Sequence, residues 1–238
     1  MRLRALLIAS VIGLSGAAAA ADPPIGSRLG ERTTKNQEKR EREAALGAQE
    51  MARCLVNKKR QSVRAFLATV DMKESMRLSD GMSGEHECFS MTEGNDLVEG
   101  RMVTFPHDIY RGMLAEWMIK ADERTFAALP ALPRQMVYTR NWYAVSDRDA
   151  SIDEMATCVS ESAPAETLAL LKTMPYSPEE GAAFGVLGPH LGACLRVGVR
   201  VTGNRQSLRA GLADALYQRV ANPPPAAPPV PATTTTQP

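Results

Sequence analysis

Aromatic residues are scarce in this chain, with Phe, Trp and Tyr making up 5% of its 238 residues. Histidine is scarcer, limited to His86, His107 and His190, and the 7 lysines are far outnumbered by 21 arginines. Each shortage excludes a class of function. No two histidines stand four residues apart on a helix, so the H-x-x-x-H zinc pattern is missing. No Gly-rich loop followed by lysine cradles a phosphate, and Gly192 to Gly203 lacks the dinucleotide fingerprint. Ser79-Asp80-Gly81-Met82-Ser83-Gly84 reads as a loop and not as the strand-to-helix elbow of a hydrolase nucleophile. No C-x-x-C pair marks a redox enzyme. The 28 basic and 27 acidic residues nearly cancel, which removes the electrostatic case for nucleic acid. Beyond the N-terminus no apolar run approaches the roughly 20 residues that span a bilayer. No cofactor and no metal are expected.

The chain does hold four cysteines, inside a segment that occurs twice. Met51-Ala52-Arg53-Cys54 recurs as Met155-Ala156-Thr157-Cys158, and Ala65-Phe66-Leu67-Ala68-Thr69 as Ala169-Leu170-Leu171-Lys172-Thr173. Past the second cysteine of each set, Gly100-Arg101-Met102-Val103-Thr104 recurs as Gly198-Val199-Arg200-Val201-Thr202. Arg111-Gly112-Met113-Leu114-Ala115-Glu116 recurs as Arg209-Ala210-Gly211-Leu212-Ala213-Asp214. Gaps of two residues before the second cysteine and eight after it align the copies, which reads as an internal duplication. Two copies of one fold should carry the same local bridge. Of the three pairings open to four cysteines, duplication therefore selects Cys54 with Cys88 and Cys158 with Cys194.

Disulfides imply an oxidising compartment, and the N-terminus supplies the address. Arg2 and Arg4 give a basic start, Ala5 to Leu14 an apolar stretch, and Ala19-Ala20-Ala21 a small-residue cleavage site, so residues 1–21 read as a secretory signal peptide. No cysteine near the cut argues for a lipid anchor. Together with an arginine-rich, alanine-rich composition, this makes a periplasmic or secreted bacterial protein the expectation, without a transmembrane segment after signal removal.

Residues 22–45 form a Pro/Gly-containing leader that becomes helical from Lys35, where opposite charges lie three and four apart. Helical repeats follow at 46–121 and 151–221, joined by a connector at 122–150. Residues 222–238, rich in Pro, Ala and Thr, form a tail that should be disordered. In the second repeat, Ser151-Ile152-Asp153-Glu154 resembles a capping box, Pro164 and Ser177-Pro178 mark helix starts, and Gly188-Pro189 should break or kink the helix. Asn204 caps a last helix with Leu208, Leu212, Leu216 and Val220 inward, and Ser207, Asp214 and Gln218 on the opposite side. Its counterpart turns Tyr110, Met113, Leu114, Trp117 and Met118 inward. In the connector, Val137 to Val145 has strand-like composition and could supply a short β segment. The fold class is thus mostly α, as two homologous small helical units, each with one disulfide.

Candidate site residues are few. Arg111 and Arg209 occupy equivalent positions beside the apolar stripe of equivalent helices, where each could hold an anionic ligand or pair with a carboxylate of the opposing repeat; pairing is the expectation. Trp117 and Trp142, with Tyr143, could line a groove or fill the core. Glu85, His86 and Glu87 would make a metal site only if another segment joined them. The expected function is a non-enzymatic binding module of the cell envelope that meets a partner protein, peptide or envelope component between the repeats. The alternative is an envelope hydrolase or lyase with its site at the repeat interface, where His107 or His190 would carry the chemistry.

Overall fold

The computed structural model describes residues 25–89, 105–196, 198–199 and 204–223. The expected signal peptide, the Gly100–Thr104 match and nearly all of the expected tail lie outside the described residues. The helices are α1 (Ile25–Lys58), α2 (Arg60–Ala68), α3 (Met72–Ser83), α4 (His86–Phe89), α5 (His107–Ala121), α6 (Glu123–Ala127), α7 (Ala150–Ser162), α8 (Pro164–Lys172), α9 (Pro178–Cys194) and α10 (Arg205–Ala221). The chain is therefore mostly helical. Both disulfides, the connector and the helical core belong to the compact unit that begins at Arg40.

Local chemistry explains most of the helix starts. Asp71 accepts from the Glu74 amide at 2.8 Å to cap α3, and Asn204 accepts from Ser207 at 2.9 Å to cap α10. Pro164 and Pro178 sit in the first turns of α8 and α9, where a missing amide hydrogen costs nothing. The Ser177 hydroxyl accepts from Glu180, and the Glu180 carboxylate reaches back to the Tyr176 amide at 2.8 Å, holding Tyr176 at a left-handed φ of 59°. At α7 the cap is Asp149, accepting from Ser151 at 2.8 Å, so the helix begins ahead of the Ser151 box that the sequence suggested.

Two further expectations change. Helix α9 runs unbroken through Pro189, since Gly185, Val186, Gly188 and Pro189 are all exposed and water can satisfy the carbonyl that proline leaves free. The strand-like segment of the connector holds no strand: Asn141–Val145 winds into a 3-10 turn, and among the described residues there is no strand for it to pair with.

Both disulfides are present. Cys54 of α1 is bonded to Cys88 of α4, and Cys158 of α7 to Cys194 at the end of α9, with Cα separations of 5.5 and 5.7 Å.

Helix α10 lies at the centre. It packs along α5 and α7 and also touches α2, α6 and α8. Its Ala213, Leu216 and Tyr217 join one core with Leu55, Phe66, Leu67, Leu114 and Ile119, while Leu212 and Ala215 join a second with Trp142, Met155, Val159, Leu170 and Leu187. The two-faced wheel expected of α10 is therefore corrected. All residues from Arg209 to Arg219 are buried, Asp214 and Gln218 included, whereas Val220 is 43% exposed. Helix α5 is likewise buried on nearly every side, from Tyr110 to Glu116. Polar residues can go inside here because partners from other helices meet them.

Candidate functional site

The close approach of α5 and α10 sets the geometry. A side chain added at Gly112 would meet the Cβ of Ala210 at 2.3 Å and its Cα at 2.4 Å, so the backbones are nearly in contact at this pair. Within one residue of that contact, each helix sends an arginine toward the other. Arg111 Nε donates to Asp214 Oδ2 at 2.8 Å, and Arg209 donates from Nε and Nη2 to the two oxygens of Glu116 at 2.8 and 2.7 Å. Each arginine also reaches the carboxyl end of a neighbouring helix. Arg111 donates to Phe66 and Leu67 carbonyls at the end of α2, and Arg209 to the Leu171 carbonyl at the end of α8. These carbonyls lack intrahelical partners and carry the negative end of the helix dipole, so a cation is favoured there.

Other charges complete the cluster. Arg148, from the connector, bridges Asp214 at 2.8 Å and Asp153 at 2.7 Å; Glu180 accepts from Arg209 at 2.9 Å; Gln218 donates to Asp214 and to the Leu67 carbonyl. Burial pushes the Glu116 and Asp214 carboxyls up, but the facing arginines outweigh it and hold both below the usual range. At Asp153 burial wins, and its carboxyl sits above the ordinary value despite Arg148 and the hydroxyl of Ser146. Every nitrogen of the Arg111 and Arg209 guanidinium groups already donates within the protein. Both side chains are at most 2% exposed, which leaves no face for an incoming anion.

The tryptophans do not meet. Trp142 is buried in the second core, edge-on to Tyr143 at 4.6 Å, while half-buried Trp117 packs on the first core under the Lys120 ammonium. Tyr143 donates to Thr157 Oγ1 at 2.8 Å, which fixes its ring against α7.

His107 is half-buried between α3 and the 3-10 turn, with its Nε2 3.2 Å from the Val145 carbonyl and 3.4 Å from Ser75 Oγ. A carbonyl only accepts, so that nitrogen carries the proton and has no lone pair with which to take one from Ser75. Ser75 is also wholly buried. A serine–histidine dyad needs the reverse arrangement. Glu85 and Glu87 are engaged by Lys59 and Lys58, the His86 side chain lies outside the described ones, and among the described residues no three His, Cys, Asp or Glu cluster to hold a metal.

The connector is different in kind. From Pro133 to Val137 five successive residues are exposed, and Met136, where the chain bends, is 96% exposed, the highest value for a large apolar side chain among the described residues. A recess among Arg140, Trp142, Glu161 and Arg219 has a volume of about 10 Å³, hardly room for one water. That is below the roughly 300 Å³ at which small-molecule pockets usually begin.

Glu116, Arg148, Asp153, Glu180, Asp214 and Gln218 were not among the candidate site residues read from the sequence. Glu116 and Asp214 carried a signal, since each stands five residues after the matched arginine. Arg148 carried none, because a lone arginine in a connector reads as solvated.

Compared with known proteins, the chain matches no family model, no curated protein and no solved structure.

Proposed function

We propose that this chain is an exported, non-enzymatic binding module of the cell envelope, built from two copies of one helical unit, that meets a partner protein, peptide or envelope component through the connector between them. The copies are supported by the exchange of ion pairs across Gly112 and Ala210, two residues the sequence match makes equivalent. Equivalent residues touching each other, flanked by reciprocal Arg–carboxylate pairs, is the pattern of an isologous contact. The compartment is supported by two disulfides and by the absence, among the described residues, of a helix long and apolar enough to cross a membrane.

One observation carries the binding reading: the charges of the interior are consumed by one another, while the connector sets a nearly fully exposed methionine on an ordered loop. Exposed apolar side chains held in place are what interfaces use as anchors. The enzymatic alternative draws no support from His107, whose ring proton faces a carbonyl.

A photo-crosslinking residue at position 136 tests this in the exporting cell. Adducts from position 136, absent from position 76 on the exposed face of α3, are the expected result; equal labelling from both sites, or from neither, would refute the reading.

A further inference from the structure

The connector loop is braced on both flanks. On the incoming side, buried Arg219 donates to the Pro130 carbonyl at 2.7 Å, and the Leu132 amide donates to the Glu161 carbonyl at 2.7 Å. On the outgoing side, Tyr138 is buried, its ring lies under the Arg140 guanidinium at 5.7 Å, and Arg140 is ion-paired to Glu161 at 2.6 Å. The Gln135 amide donates to the Tyr138 hydroxyl at 2.9 Å, tying the bend to its own base. The Leu132 and Arg140 bonds both end on Glu161 in the last turn of α7, where Arg219 also donates to the Ser160 carbonyl at 3.1 Å, and the Cys158–Cys194 bridge ties α7 to α9. Pro130 and Pro133 restrict the backbone further. The loop therefore loses little conformational freedom on being gripped, and that is the main cost of binding an exposed loop.

A braced, projecting loop with an apolar tip residue, in an exported disulfide-bonded protein, fits one kind of partner especially well. We infer that the loop is a ligand for the active-site cleft of an exported endopeptidase with an apolar specificity pocket, Met136 entering the pocket and the Met136–Val137 bond lying at the protease nucleophile. This rests on the binding reading above and names its partner class. The chemistry favours inhibition over digestion. Attack on the Met136 carbonyl would pass the acyl group to the nucleophile and release the Val137 amine with a proton. Buried Tyr138 holds that amine beside the acyl group, so it attacks back, re-forms the peptide bond and returns the proton to the nucleophile before water can enter. Arg134, two residues before Met136, lies within reach of the rim of such a cleft.

The test uses the full disulfide-bonded mature chain and purified serine endopeptidases of chymotrypsin, subtilisin, elastase and trypsin type, assayed with small chromogenic peptides. Stoichiometric inhibition of at least one enzyme with an apolar pocket is expected, and none of the trypsin type. M136D should weaken it about 30-fold or more at an unchanged melting temperature, as for loss of an interface anchor. M136R should move the inhibition to the trypsin-type enzyme. Reduction of the bridges should turn the chain into an ordinary substrate. Rapid cleavage of the oxidised chain at Met136–Val137, or no inhibition by any enzyme, overturns the inference. If position 136 still cross-links a partner in the cell, the broader reading survives that failure; if it does not, both fall.

Discussion

Arg111 and Asp214 face each other at 2.8 Å with neither side chain exposed to solvent. Two charges so placed have lost their water, and their attraction must offset that loss. Removing one partner then strands the other. Asp214→Leu should destabilise the protein by about 3–5 kcal/mol, and adding Arg111→Met should restore part of the loss by removing the stranded cation. Urea unfolding at neutral pH measures both. A double variant no better than D214L would show that Arg111 gains little from this pair.

The approach of α5 to α10 makes a sharper steric prediction. Gly112→Ala puts a methyl 2.4 Å from the Ala210 Cα and 2.6 Å from its carbonyl oxygen, so the helices must separate, at about 1–3 kcal/mol or more. Adding Ala210→Gly should not rescue it, because those backbone atoms remain. Gly211→Ala, next to Ala210 on the same helix, meets the Ile152 Cγ2 methyl at 3.3 Å and its other neighbours at ordinary contact distance, and should be nearly neutral, helix propensity offsetting the small clash. Thermal unfolding of the three variants checks the order.

The two bridges span 34 and 36 residues, so chain entropy assigns each about 4 kcal/mol. Replacing either pair by alanines should cost similar amounts, measured by urea unfolding of the two double variants. A large cost for one pair and none for the other would contradict equivalent roles for the bridges.

Acid should weaken the fold in two stages. Burial, helped by Arg111, holds the His107 imidazole below its ordinary value, so the unfolded chain binds that proton more readily and stability falls as pH drops through the range just below that of a free histidine. Glu116 and Asp214, held low in the fold, add a second loss as pH falls below the ordinary carboxylate range. Asp153, shifted upward, has the opposite sign and gives back a little on acidification. His107→Gln should flatten the first stage and leave the second. Stability measured from pH 3 to pH 8 separates them.

How much of this was legible in the sequence depended on whether the signal was local. Asn204, Pro164 and Ser177-Pro178 announce helix starts because caps and first-turn prolines act within four residues, and the bridges could be read because the repeat limited the pairings. The burial of α5 and α10 could not be read in that way. On a helical wheel Glu116, Asp214 and Gln218 look solvated, and only arginines from other helices and from the connector make it tolerable to bury them. The run through Pro189 was hidden for the opposite reason: a break there would be needed only if the freed carbonyl lacked water. Met136 gave no pattern, since exposure of a single apolar residue in a loop is a tertiary property.

The molecule thus divides into an interior whose charges hold the helices together and a connector that we propose meets a partner. One experiment addresses that division directly: partner cross-linking from a probe at position 137 and thermal unfolding, measured together for M136D and for E116Q. Loss of the adduct in M136D with Tm unchanged, and a lowered Tm in E116Q with the adduct retained below that Tm, is the predicted result. An adduct that survives in M136D, or that disappears in E116Q while the protein is still folded, would contradict it.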